Sequence, residues 1–125
     1  MDVSDLFRSL FPIGTVEAVR QEYQVFRTAT GDYVVFSPSS RGSSSYHMSR
    51  VSADKVEALL KVIGREGATT GSLMKDERLD QAFGTEDRIA MRFDVLMGLY
   101  ILTAMGKVEM QKSGRNLVFT KAMTE

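Results

Sequence analysis

The sequence predicts an α+β protein in which a short N-terminal helix and a small antiparallel β-meander pack against a helical half that ends in a β-hairpin. Three observations carry this. Between Thr15 and Val51 the chain breaks into four short runs rich in β-branched and aromatic residues, separated by turn residues. From Ser52 to Met105 apolar residues recur at helical spacing, and after Gly106 two short extended runs flank Gly114. A chain of 125 residues with 43% hydrophobic content has room for one compact domain, or for two small layers (1–51 and 52–125) sharing one core.

At the N-terminus, Val3, Leu6, Phe7, Leu10 and Phe11 fall at the spacing of a short amphipathic helix that Pro12 stops. So short a helix has to dock, so Leu6 and Phe7 either close over their own domain or reach a second copy of the chain as a dimer arm. The meander follows as Thr15 to Val19, Tyr23 to Thr28, Tyr33 to Ser37 and Tyr46 to Val51, with Thr30, Gly31 and Asp32 turning between the second and third strands. The loop SPSSRGSSS, Ser37 to Ser45, is either an exposed hairpin tip or, through Arg41, its hydroxyls and free backbone amides, a seat for a phosphate or a DNA backbone.

Ser52 is placed to cap a helix from Ala53 to about Gly64, with Val56, Leu59, Leu60 and Ile63 as its apolar stripe. A shorter helix is expected from Gly71 or Ser72, carrying Leu73 and Met74 and continuing through Leu79 to Phe83. The longest helix starts after Gly84 with Thr85 as N-cap candidate, Glu86 and Asp87 in its first turn, and Gly106 at its close. Its core-facing stripe reads Ile89, Phe93, Leu96, Met97, Tyr100 and Ala104, while Arg88 and Arg92 share a different face. From Val95 to Met105 the polar face nearly vanishes, so this half is buried on most sides. Its residues Leu99, Ile101 and Leu102 are expected to join the two halves or two copies across a dimer interface. Gly98 costs about 1 kcal/mol relative to alanine in mid-helix; it marks either a close backbone contact or a tolerated surface position. Val108 to Met110 and Leu117 to Thr120 then form a hairpin, with Gly114 supplying a positive φ.

Composition excludes several chemistries. With no cysteine and one histidine there is no disulfide framework, no thiolate nucleophile and no Cys- or His-rich metal site. GREGATTG from Gly64 lacks the lysine of a P-loop. The serines at 39, 40 and 43–45 near His47 lack a third group to orient a base, and His47 reads as a half-buried strand residue. Glu109 and Lys112 read as a solvated pair, and the acids at Asp76, Glu77, Asp80, Glu86 and Asp87 as solvated helix faces. No catalytic residue, metal ligand or cofactor is therefore expected. The first residues lack the basic and apolar regions of a signal peptide, and the apolar run from Val95 is too short to cross a bilayer, so the expected location is cytoplasmic with no membrane partner. Net charge is zero, but Lys107, Lys112, Arg115 and Lys121 against Glu109 make the hairpin locally positive, as Arg41 and Arg50 do their own stretch.

The second half, about residues 52–121, resembles a winged-helix (winged helix-turn-helix) domain. The matching segments are VEALLKVIGREG for the first helix, ATT for a small strand, GSLMKDERL for the second helix, Thr85 to Met105 for the third, and KVEMQKSGRNLVFTK for the wing. The resemblance implies double-stranded DNA as partner, met by Arg88 and Arg92 on the third helix and by Lys112, Arg115 and Asn116 at the wing tip. The pattern departs from the family in that only the first two turns of the third helix are polar enough to face a major groove, which limits the readable surface to Arg88, Met91 and Arg92. Two functions follow. One is a small DNA-binding transcriptional regulator acting as a homodimer. The other is a winged-helix protein-interaction module without DNA binding, whose exposed apolar groups recruit another protein.

Overall fold

A computed structural model describes residues 10–18, 21–38, 46–84, 86–114 and 116–122. Strands β1 (Leu10–Ala18), β2 (Gln21–Thr28), β3 (Tyr33–Pro38) and β4 (Tyr46–Val51) form an antiparallel meander in the order β1-β2-β3-β4. Gly31, at φ 95°, lets the chain turn between β2 and β3. The first strand begins earlier than the sequence pattern suggested: Leu10, Phe11 and Pro12 belong to β1, not to the end of a helix. Pro12 is accommodated because β1 is at the edge of the sheet, where a missing N–H donor costs no ladder bond. The rest of the expected N-terminal helix, with Leu6 and Phe7, lies outside the described residues. Within β1 the register shifts between Pro12, opposite Phe26, and Gly14, opposite Val25, leaving Ile13 as the extra residue of a bulge.

Helix α1 (Ala53–Val62) is capped by Ser52, whose hydroxyl accepts from the Lys55 amide. Asp32, from the β2–β3 turn, accepts from the Ala53 amide at 3.2 Å and pairs with Arg50 at 3.1 Å, so one carboxylate pins the meander to the start of α1. The expected helix through Phe83 is instead three pieces: α2 (Thr70–Met74), a 3-10 turn (Glu77–Leu79) and α3 (Asp80–Phe83). Two of the starts have a local cause. Thr69 and Ser72 form a reciprocal capping box on α2, and Asp76 turns its carboxylate onto the Arg78 amide, restarting the chain as the 3-10 turn.

Helix α4 (Arg88–Ala104) is capped by Asp87, which accepts from the Ala90 amide at 3.0 Å; Thr85, the expected cap, lies outside the described residues. Packing on all four strands of the meander and on α1, α2 and β5 (Val108–Ser113), α4 is the common wall of one core that draws residues from both halves. One expectation narrows to the first of its two alternatives here, the joining of the two halves, and another is corrected. Leu99, Ile101 and Leu102 are fully buried within a single chain, because sheet and helices enclose this half of α4, so they have no surface to offer a second copy. The stripe assigned to Ile89 and Phe93 is also out of phase. The buried line at this end runs through Met91, Val95 and Gly98, leaving Ile89 85% and Phe93 47% exposed. Gly98 is the crossing point with α1, since a Cβ built there would lie 2.4 Å from Leu59 Cδ1.

Strands β5 and β6 (Asn116–Lys121) form the hairpin, with Lys112 opposite Leu117 and Ser113 opposite Asn116. Ala68 bridges to Phe119 by hydrogen bonds of 2.8 Å in both directions, and the Lys121 amide donates to the Gly64 carbonyl at 3.1 Å. Gly67, at φ 92°, makes that approach possible, since a side chain there would collide with Val118. Among the described residues no helix is long and apolar enough to cross a membrane.

Candidate docking face at the entrance of α4

The sequence-derived site residues part ways in the folded chain. Arg88 folds back on its own domain: Nη2 donates to the Met74 carbonyl at 2.9 Å, Nη1 donates to the Met91 sulfur at 3.2 Å, and Nη1 lies 4.0 Å from Asp80. Its guanidinium thus closes the C-terminus of α2. Met91, expected on the readable surface, is buried beneath it. Arg92 points elsewhere. Among the described residues it has no hydrogen bond or ion pair, and it lines a shallow groove of about 330 Å³ with Thr70, Ile89, Phe93 and Leu96.

Two other cations of the helical half are already neutralised. Lys55 bonds Asp94 at 2.9 Å and lies 5.6 Å from the centre of the Phe83 ring, and Arg78 holds Asp76 at 2.6 Å. The Arg78 hydrogen bonds and charge keep the Asp76 carboxyl below its ordinary range, against a weaker upward push from burial. Arg50, which has no acid in its own stretch of sequence, finds Asp32 across the fold. Of the expected nucleic-acid contacts, Arg92, Lys112 and Asn116 are exposed and carry no ion pair among the described residues, while Arg41 and Arg115 lie outside them.

No catalytic constellation assembles among the described residues. His47 is exposed, not half-buried, and sits opposite Ser37 on β4, while the serines at 39, 40 and 43–45 lie outside the described residues. Glu109 and Lys112 both occur on β5, three residues apart and hence on opposite faces of the strand.

Comparison with family models, with curated proteins and with solved structures finds no match for this chain. The candidate site therefore rests on its own geometry. Its most unusual feature is Ile89, a large aliphatic side chain left almost wholly in solvent beside the half-exposed ring of Phe93 and the unpaired Arg92. The phase of the line Met91, Val95, Gly98 and Leu102 carries the signal that would have found it.

Proposed function

We propose that this chain is a winged-helix-type interaction module that docks another protein on the entrance of α4. The single observation that carries this is the pair Ile89 and Phe93, exposed on consecutive turns over an apolar groove. Contiguous apolar surface of this kind costs solubility and is characteristic of binding faces. Arg92 on the same face fits the pattern of interface centres, where aromatic and arginine side chains are enriched. The preferred partner is a helix that presents apolar residues at i and i+4 and one carboxylate to Arg92. Support for the winged-helix description comes from the element order α1, Ala68 bridge, α2–α3, α4 and hairpin, with the short extended piece at Ala68 joined to the second hairpin strand.

The test is selection of randomised helical peptides on the immobilised full chain. Enriched sequences should carry that apolar spacing with an acid, and Ile89→Asp should abolish their binding. Absence of enrichment above background would remove the proposal.

A second function, duplex DNA binding by a homodimer, is favoured by Lys112 and Asn116, exposed beside the hairpin turn, and by Arg92. Arg88 weighs against it, being already bonded to Met74 and close to Asp80, and so does the zero net charge, since phosphate contacts dominate such affinity. Fluorescence anisotropy with mixed-sequence duplex at about 50 mM salt separates the two, because nonspecific phosphate contact is visible there. A signal that weakens steeply with added salt would favour the DNA reading over the docking one.

A further inference from the structure

A different concavity lies at the opposite end of α4, on the inner face of the meander. Cross-strand partners in an antiparallel sheet share a face, so the pairings Phe11 with Arg27 and Arg27 with Tyr33 set these three side chains side by side in one row. Phe11 belongs to this row only because of the bulge at Ile13, which shifts the alternation of β1 by one residue and turns Phe11 to the same side as Gly14 and Val16. The neighbouring row, Gly14 and Val25, is covered by the end of α4, where a Cβ on Gly14 would lie 3.4 Å from the Ala104 carbonyl. There the helix stops and the chain turns away at Gly106. The row Phe11–Arg27–Tyr33 is left as the floor of a concavity of about 310 Å³, with Pro12, Ile13 and Met105 as its walls.

The chemistry of this concavity is lopsided. Among the described residues its walls and floor are one aromatic ring, a phenol, three apolar side chains and a guanidinium, with no carboxylate. Among the described residues Arg27 has no ion pair and no hydrogen bond, although every other arginine described between β2 and α3, apart from Arg65, is engaged by an aspartate. The negative end of the α4 dipole explains why a cation is tolerated here. It does not provide the forked acceptor that a guanidinium matches best, which is a carboxylate. The volume is at the low end for small-molecule sites and suits a ligand of one ring.

We propose that this concavity binds a small aromatic monocarboxylate, its ring against Phe11 and Tyr33 and its carboxylate forked onto Arg27. This site is independent of the docking face, so its test leaves that proposal untouched. The experiment is an amide chemical-shift titration of the full chain with benzoate, using benzamide as a neutral probe of the same shape. Benzoate is expected to give saturable amide shifts confined to residues 11, 13, 14, 27, 33 and 105, in the millimolar range proper to so few atoms. Benzamide should bind at least about tenfold more weakly, and Arg27→Leu should weaken benzoate by about the same factor while Arg27→Lys restores part of it. Unsaturable or scattered shifts, or equal binding of benzoate and benzamide, would overturn the proposal. The comparison of the two probes uses the unaltered protein and so holds even if the Leu variant fails to fold.

Discussion

Replacing Gly98 by alanine places a methyl group where α1 and α4 cross, and the structure sets two opposing effects against each other. Alanine favours a helix interior over glycine by about 1 kcal/mol. Against this, the new Cβ would lie 2.4 Å from Leu59 Cδ1, well inside contact, and Leu59 is fully buried with its surroundings packed. Forcing an extra methyl into a packed core costs about 1–3 kcal/mol. The overpacking term wins, and we expect a net loss of about 1 kcal/mol, which lowers Tm by roughly 3–6 °C for a domain of this size. A double-mutant cycle isolates the contact. Leu59→Ala alone should cost about 2–5 kcal/mol, and less when the Gly98→Ala methyl partly fills the hole, giving a coupling on the order of 1 kcal/mol. Urea denaturation of the four proteins measures this. If Gly98→Ala raises stability, or if the two changes simply add, α1 does not close on α4 at this point.

Two other changes probe the scaffold. Asp87→Ala removes the side-chain acceptor of the Ala90 amide and should destabilise the protein by about 1 kcal/mol in urea denaturation, with Asp87→Asn losing much less. Tyr100 is held above its ordinary value of 10.0, first by burial and then by the charge and hydrogen bond of Tyr23. The folded phenol keeps its proton where the unfolded one begins to lose it, so the associated stability is intact below pH 10 and declines above it. The slope is about 1.4 kcal/mol per pH unit. Denaturation midpoints between about pH 9 and 11.5 should therefore fall less steeply in Tyr100→Phe than in the parent. Parallel slopes would show that the phenol ionises as freely in the folded chain as in the unfolded one.

Much of this architecture was legible in the sequence where one local rule acted alone. Ser52 capped α1 as expected, the turn at Gly31 and Asp32 joined the predicted strands, and alternation fixed β3 and β4 to within a residue. Errors arose where two rules competed. Leu10 and Phe11 continue the helical spacing of the residues before them, yet they pair with Thr28 and Arg27, because a sheet edge was available and Pro12 could sit on it. In α4 the run from Val95 to Met105 is apolar on every side, so periodicity alone could not fix its phase. Carrying the stripe back through Phe93 and Ile89 placed two exposed residues in the core. The candidate site was legible only as Arg92. Its apolar neighbours carry the spacing of a core stripe, and the tie from Arg88 to the Met74 carbonyl links positions fourteen residues apart that no spacing rule connects.

The place of α4 as the common wall also sets an order of events during synthesis. The meander is complete in sequence once Val51 has been added, but the helix that covers its inner face ends only at Ala104, roughly fifty residues later. At about 5–20 residues per second the growing chain carries an uncovered apolar sheet face for about 3–10 seconds. A ribosome paused between these two points would display Val16, Val25 and Val35 to its surroundings.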